Sequence, residues 1–257
     1  VDIGSGRFLL GDCFEHMATL PDASVDMILC DLPYGTTACA WDAVLPFDAL
    51  WAEYRRVLRP TGAAVLTASQ PFTSALVASN FPWFKYALVW EKSRATGHVH
   101  AKNKPMKKHE DVLVFSPGTT VHASQSATRM TYNPQGLVAL DKPLKRKGAK
   151  GSMSVMAPRP SHKDYEVTEG GYPTSVLAFA SEGATVHPTQ KPVALFEYLI
   201  RTYTDAGQVV LDNTAGSGTT AIAAENAGRK WICIERDLDY YDKAVKRVNE
   251  HVLGRLL

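Results

Sequence analysis

The sequence has no apolar run near the roughly 18–20 residues needed to span a bilayer, and no charged-then-apolar N-terminal stretch of secretory type. These two absences predict an intracellular protein outside any membrane. Cysteine is scarce: Cys13, Cys30, Cys39 and Cys233 form no CxxC pair and stand at no His/Cys spacing of zinc type. Free thiols in a reducing compartment follow, with no metal site and no disulfide framework. Net charge is nearly absent too, with 28 Lys and Arg against 26 Asp and Glu, and no internal repeat is visible. What is present is ordinary globular material. The 257 residues, 45% hydrophobic and 21% charged, suffice for one large domain or a domain with a substantial insert. A disordered tail, a collagen-like chain and a disulfide mini-protein are excluded.

The near-zero charge is a cancellation. Residues 85–163 carry 15 Lys and Arg against 4 Asp and Glu, while the remainder carries 13 against 22. A basic middle in an acidic frame suits a polyanion-binding insert on an enzyme body, because neutralising phosphates requires cations clustered in space. A solvated face that favours solubility is the other reading of charge alone.

Short apolar runs alternate with helical spacing over the first 115 residues. Strands are predicted over 25–30, 63–67, 86–90 and 111–115; helices over 47–58, stopped by Pro60 and Gly62, and over 72–78 after Pro71. This alternation argues for a parallel α/β sheet. From about 93 to 172, strand 111–115 apart, periodicity fades. Thr131-Tyr-Asn-Pro-Gln-Gly136 and Ala157-Pro-Arg-Pro160 are loop chemistry, and 142–150 is a basic run. So long a stretch without pattern is usually functional or mobile. Order returns with a strand at 176–179, a helix over 192–203, a strand at 208–211, a glycine-bearing turn, a helix over 219–227, a strand at 230–234 and a terminal helix from about 238.

Two segments carry chemistry. In the first, a strand ending near Asp212 leads through Gly216 and Gly218 into a helix; the glycines let backbone approach a ligand, and the helix N-terminus offers free N–H groups. Glu235 ends the next strand, about 20 residues on, where a carboxylate suits a pair of ribose hydroxyls. This predicts nucleoside binding, and Ala221 satisfies the looser dehydrogenase form, so hydride chemistry stays open. In the second, Asp31-Leu32-Pro33-Tyr34-Gly35 follows the strand at 25–30 and so lies at a carboxyl edge, where open α/β sheets bind ligands. An acidic acceptor, a carbonyl stiffened by the following proline and an aromatic ring could together hold a planar amine. A tight turn with a capping Asp is the structural alternative.

Asp-Leu-Pro-Tyr at 31–34 is similar to the Asp-Pro-Pro-Tyr motif of amino-group DNA methyltransferases. Thr214-Ala-Gly-Ser-Gly-Thr-Thr220 resembles their glycine motif for S-adenosylmethionine, and His187-Pro-Thr-Gln-Lys-Pro192 resembles the segment just before it. Gly11-Asp12-Cys13, with residues 20–26 ahead of the strand, matches the group's opening. Catalytic motif first and cofactor motif last is the circularly permuted order of the β class. The likeness covers 8–115 and 185–250 and leaves the basic middle outside, as target recognition regions usually are. It implies an α/β, Rossmann-like S-adenosylmethionine-dependent methyltransferase fold with a circularly permuted, mostly parallel sheet. The catalytic half would span 1–115, a basic target recognition region 116–175, with DNA contacts beginning near 93, and the cofactor-binding half 176–257. Leu32 replaces the motif's first proline, but Pro33 still restricts residue 32 to an extended conformation.

The resemblance implies methyl transfer from S-adenosylmethionine to the N6 amino group of an adenine flipped out of double-stranded DNA. Asp31 and the Leu32 carbonyl would accept the amino hydrogens, Pro33 would stiffen that carbonyl, and Tyr34 would stack on the base. Asp12 and Cys13 would meet the cofactor's adenine. Asp212, Thr214, Gly216, Gly218 and Thr219 would form its bed, and Glu235 would hold the ribose. His187, Thr189 and Lys191 would meet the methionine end, helix entry before Pro192 being the other reading of His187 and Lys191. An acidic first motif residue points to adenine, since the group's cytosine N4 enzymes commonly begin with serine; physically either amino group could use the same acceptors.

Lys92, Arg94, Lys102, Lys104, Lys107, Lys108, Arg129, Lys145, Arg146 and Lys147 are candidate DNA contacts, and Arg94, Asn103, Arg129 and Asn133 are types able to read base edges. For any single one, plain surface charge is the competing reading. His109-Glu110 also looks like the group, but adjacent strand residues face opposite ways, so a structural role is expected of the pair rather than acid/base chemistry. Three other activities stay open: cytosine N4 transfer, methyl transfer to RNA, protein or a small molecule, and, more remotely, a nicotinamide-dependent oxidoreductase or an inactive nucleic-acid binder. The resemblance further implies a prokaryotic or phage-encoded, cytoplasmic and nucleoid-associated enzyme, compatible with a homodimer and a companion restriction endonuclease.

Overall fold

The apolar run at 25–30 is a strand buried on both faces: Met27 and Leu29 enter one core cluster, Ile28 and Cys30 the other. A strand covered on both sides belongs inside a sheet with helices on each face. The computed structural model describes residues 1–36, 42–121, 126–148, 164–182 and 190–255, and the backbone alone of 152–153 and 158–159. In chain order these form β1 (Asp2–Ile3), β2 (Gly6–Leu10), α1 (Cys13–Ala18), β3 (Val25–Asp31), α2 (Phe47–Val57), β4 (Leu58–Ala68), α3 (Phe72–Ser79), β5 (Phe84–Thr96), β6 (Lys107–Phe115) and β7 (Val138–Arg146). There follow β8 (Ser152–Met153), β9 (Pro158–Arg159), β10 (Tyr165–Gly170), β11 (Val176–Phe179), α4 (Val193–Tyr203), β12 (Val209–Asp212), α5 (Thr219–Ala227), β13 (Lys230–Glu235) and α6 (Leu238–Gly254). Among the described residues no helix is long and apolar enough to cross a membrane, and no group of His, Cys, Asp and Glu could hold a metal ion.

The chain divides into two compact units, Val1–Asn133 with Ser175–Leu257, and Pro134–Thr174. In the first, nine strands form one sheet in the order β1-β2-β13-β12-β3-β4-β6-β5-β11. From β2 through β4 all neighbours are parallel, whereas β6 runs antiparallel to both β4 and β5. The expected mostly parallel sheet is therefore mixed, with β1 also antiparallel to β2 at the other edge. β3 and β12 are adjacent, with β4 following β3 on one side and β13 following β12 on the other, so the carboxyl ends of β3 and β12 flank the point where strand order reverses.

Helix α2 lays Leu50, Trp51, Tyr54 and Val57 on the second cluster, the spacing of one helical face. Each such side chain contributes about 1.5–3 kcal/mol on burial. Pro60 and Gly62 follow the end of the helix, as the sequence suggested, and both lie within β4, Pro60 exposed and Gly62 buried. There the register against β3 shifts between Val25 and Met27, and a proline is tolerated where the ladder is interrupted.

Residues 116–133, placed with the recognition region on sequence grounds, belong to the first unit. Ser116 Oγ donates to the Gly62 carbonyl (2.6 Å), Met130 is buried, and Asn133 Nδ2 donates to Thr204 O and Asp205 Oδ1. In the second unit, β7 and β10 pair antiparallel, Lys145 opposite Glu166 and Arg146 opposite Tyr165.

Candidate active site

A cavity of about 440 Å³ opens at the carboxyl edge of the sheet. Parallel β3, β12 and β13 each deliver their last residue there, Asp31, Asp212 and Glu235, and Thr67 near the end of β4 stands behind Asp31. β5 brings Trp90 and Lys92, and antiparallel β6 brings Glu110 opposite Trp90. One end of the cavity is formed by Gly11, Asp12, Cys13, residues 212–217, Glu235, Arg236 and Tyr240; the other is formed around Tyr34, Trp90, Lys92 and Glu110.

At the first end the glycine turn is held by its own carboxylates. Asp212 Oδ1 accepts from the Thr214 N–H (3.1 Å) and Oδ2 from the Thr220 hydroxyl (2.5 Å). Burial raises the Asp212 carboxyl to about 7, against the pull of those hydrogen bonds. Glu235 accepts from Gly216 N–H and Asp237 N–H, both at 2.8 Å, and burial raises its pKa as well. Gly218 sits at φ +73 as the N-cap of α5, and a Cβ there would stand 3.0 Å from Val248 and 3.2 Å from Phe8. Its constraint is therefore the turn and the core beneath it. Thr219 Oγ1 reaches the Lys191 carbonyl at 3.4 Å, and Thr214 Oγ1 the Asp31 carbonyl at 3.2 Å, linking the turn to both other motifs. The Asp12 side chain caps α1, accepting from Phe14 N–H (2.8 Å) and Glu15 N–H (3.3 Å), and Cys13 is buried with its thiol pKa raised by burial.

At the other end Asp31 Oδ1 accepts from the Thr67 hydroxyl (2.5 Å) and the Tyr34 hydroxyl (2.7 Å), while Oδ2 accepts from the Lys191 ammonium (2.5 Å). Lys191 also lies 3.3 Å from Glu110, and Lys92 pairs with the other oxygen of Glu110. Burial disfavours the Lys191 ammonium, but Asp31 and Glu110 outweigh it and its pKa is raised. Tyr34 stacks on Phe72, with ring centroids 5.0 Å apart and planes at 25°. Burial, then Asp31, pushes its hydroxyl pKa well up. Leu32 is 3% exposed and packs in the second cluster, so its side chain anchors a position where proline would otherwise have limited the backbone. Asp42 accepts from Gly35 N–H and Thr36 N–H and holds the chain leaving the tetrapeptide.

The structure thus brings together Asp31, Leu32, Pro33, Tyr34, Asp12, Cys13, Lys191, Asp212, Thr214, Gly216, Thr219 and Glu235 around one cavity. His187 and Thr189 lie outside the described residues. Three of the expected residues have partners within the chain. The Lys191 ammonium, expected to face a cofactor carboxylate, is engaged by two carboxylates of the chain itself. Lys92, expected on phosphate, is largely buried against Glu110. Asn133, offered as a base reader, is committed to the backbone after α4.

Arg94, Lys102, Lys104, Lys107 and Lys108 are exposed, Lys108 with Glu91 at 2.8 Å, and Arg129 is half-buried. Lys145, Arg146 and Lys147 are exposed on and beyond β7. Sequence reasoning missed Thr67, Trp90 and Glu110. Alternation correctly separated His109, which is exposed, from Glu110, but only the antiparallel course of β6 turns Glu110 into the cavity.

Comparison with known proteins agrees with this geometry. The family model described as DNA methylase, of N6 and N4 type, matches residues 25–246. The type II methyltransferase M.HinfI of Haemophilus influenzae is 26% identical over 94% of this chain and 68% of its own length. M.HpaI of Haemophilus parainfluenzae is 24% identical over 96% and 76%. Among solved structures, the M1.HpyAVI complex with SAM superposes with a TM-score of 0.60 at 24% identity, covering 95% of this chain and 99% of that one. The cytosine-N4-specific PvuII DNA methyltransferase superposes at 0.67 and 15% identity, covering 99% and 93%. These structures show the shared fold. The match over most of the chain, with the acidic tetrapeptide and the glycine turn at one cavity, places the chain in the N6/N4 amino-group DNA methyltransferase family.

Proposed function

We propose that the protein transfers a methyl group from S-adenosylmethionine to the N6 amino group of an adenine flipped out of a specific sequence in duplex DNA. The observation that carries this reading is Asp31: a carboxylate at the switch point, its rotamer held through Oδ1 by Tyr34 and Thr67, in a cavity that the glycine turn also lines.

The cofactor's chemistry fits the donor set. Glu235 is 8% exposed at the cavity and is an acceptor with lone pairs beyond those used by two backbone N–H groups, as a ribose diol requires. When bound, S-adenosylmethionine supplies an electrophilic methyl on a sulfonium. Asp12, Cys13, Arg236 and Tyr240 would enclose the adenine end, and Asp212 through Ser217 the middle.

An exocyclic amino nitrogen is a weak nucleophile because its lone pair is delocalised into the ring. Accepting its N–H at Asp31 Oδ2, and at the Leu32 carbonyl, draws that lone pair toward the methyl and stabilises positive charge that appears only during transfer. Tyr34 offers an aromatic surface to a base that has left its stack. The aspartate at the first motif position supports adenine over cytosine. Exposed Lys145, Arg146 and Lys147 of the second unit suit phosphate contacts.

The test is to incubate the protein with methyl-labelled cofactor and unmethylated bacteriophage DNA, digest to nucleosides and separate them. Label in N6-methyl-2′-deoxyadenosine is expected. Label in N4-methyl-2′-deoxycytidine overturns the choice of base, and no label in DNA overturns the reading as a whole.

A further inference from the structure

The acceptor that the proposed chemistry requires is already occupied. Asp31 Oδ1 is spent on two hydroxyls, and Oδ2 accepts from the Lys191 ammonium at 2.5 Å. An incoming amino group and an ammonium are both donors; Oδ2 has a second lone pair, but the positive charge that develops on the amine during transfer is repelled by an ammonium held on the same oxygen. The Lys191 side chain is 6% exposed, and a buried cation cannot simply leave its anion, since breaking such a pair strands a charge in a poor solvent. A second anion stands within reach. Glu110 Oε2 lies 3.3 Å from Lys191 Nζ and, among the described residues, is buried with no hydrogen bond, while Lys92 holds Oε1.

We propose that Lys191 is a placeholder for the substrate's amino group and that Glu110 is the positioning residue that receives it, the ammonium shifting from Asp31 Oδ2 to Glu110 Oε2 as the base enters. The proton stays on Lys191 throughout; only its acceptor changes. The shift frees the oxygen that accepts the amino hydrogen and leaves no buried cation unpaired. Lys92 fixes Glu110 from the other side, so that the receiving oxygen is presented in advance. The substrate class is a heterocycle bearing an exocyclic amino group, and the inference rests on the reading of this site as a methyltransferase for such a group.

The experiment compares Glu110→Gln in two backgrounds, wild type and Lys191→Met, by steady-state methylation of unmethylated bacteriophage DNA, with cofactor affinity measured separately by calorimetry. In the wild-type background Glu110→Gln weakens the landing site, so kcat/KM for DNA falls on the order of tenfold to a hundredfold while cofactor affinity holds. In the Lys191→Met background there is no ammonium to relocate, and the same change costs less than about twofold. A purely structural role for Glu110, or one exerted through Lys92, gives equal losses in both backgrounds and overturns the proposal. So does a Lys191→Met protein that binds the cofactor with wild-type affinity yet transfers no methyl, because a placeholder is dispensable for transfer.

A second arm needs no substrate. In the DNA-free protein, a double-mutant cycle of thermal unfolding over Asp31→Asn and Lys191→Met must show coupling, and additive shifts overturn the resting pair. If the wild-type protein methylates no DNA, the functional reading falls. That outcome is distinct from an active enzyme in which the two backgrounds behave alike.

Discussion

Replacing Asp31 by Asn changes the site by one atom type. Oδ1 can still accept from Tyr34 and Thr67, but Oδ2 becomes an NH2 group that faces the Lys191 ammonium and, during reaction, the amino group of the base. An acceptor that strengthens in the transition state becomes a donor. Removing one preorganised partner of this kind raises the barrier by about 2.7–4 kcal/mol, or roughly 10²–10³ in kcat. Folding suffers less. Lys191 loses a charge-assisted hydrogen bond, of about 1.5–3 kcal/mol, but keeps Glu110, and the Asp31 side chain is 21% exposed. About 2 kcal/mol, near the lower part of that range, lowers Tm by about 4–8 °C for a chain of this size. The nucleoside end is untouched, so cofactor affinity should stay within about twofold, additivity holding for separate sites. Rapid-quench single turnover with methyl-labelled cofactor, paired with calorimetric titration of the cofactor, measures both quantities. A single-turnover rate within about threefold of wild type would refute the role given to Oδ2, since transition-state acceptors are worth far more. Loss of cofactor binding with the fold intact would show that Asp31 belongs to the other end of the cavity.

The Asp212 carboxyl titrates at about 7 in the folded protein against 3.8 in an unstructured chain, so the folded state holds its proton more tightly. The stability it contributes is fully present below pH 3.8 and is lost as pH rises through about 7. Asp212→Asn, which cannot ionise, should flatten the fall in Tm between pH 5 and pH 8; parallel curves for the two proteins would contradict the assignment. Gly218→Ala should lower stability by about 1–2 kcal/mol from the left-handed backbone alone. The contact at 3.0 Å with Val248 adds to that, and chemical denaturation measures the sum. Neutralising Lys145, Arg146 and Lys147 together should make the salt dependence of DNA affinity shallower by up to about 2.7 in the logarithmic slope if each meets one phosphate. An unchanged slope would remove β7 from the DNA contacts.

The helices α2 and α3 and the cofactor-end elements from α4 onward were legible in the sequence because apolar spacing and glycine or proline boundaries agree there. Two regions were not. The pairing of β7 with β10 left no mark in periodicity, since nearly every residue of Val138–Arg146 is exposed and neither face is chosen by a core. The opening β1, β2 and α1 were read only as a motif resembling others. β2 joins the sheet because β13 pairs with it in parallel, a contact more than two hundred residues distant in sequence.

The site divides in the same way. Asp31, Tyr34, Gly216, Gly218 and Glu235 were readable because each stands at the end of an apolar strand or in the turn that follows one, where local chemistry and position coincide. Glu110 lies near the start of a strand whose sequence says nothing of the edge it reaches. The orientation of β6, set by its antiparallel pairing with β4 and β5, brings the first residues of that strand rather than its last to the carboxyl edge.

Residue types and local order thus determined by themselves the strand with two buried faces, the glycine turn after Asp212 and the acidic tetrapeptide at a carboxyl edge. Only the tertiary structure decided that Lys191 rests on Asp31 and that Glu110 lies 3.3 Å from the same ammonium. The physical reason is that buried charges choose partners by distance and desolvation, and both are properties of the assembled sheet.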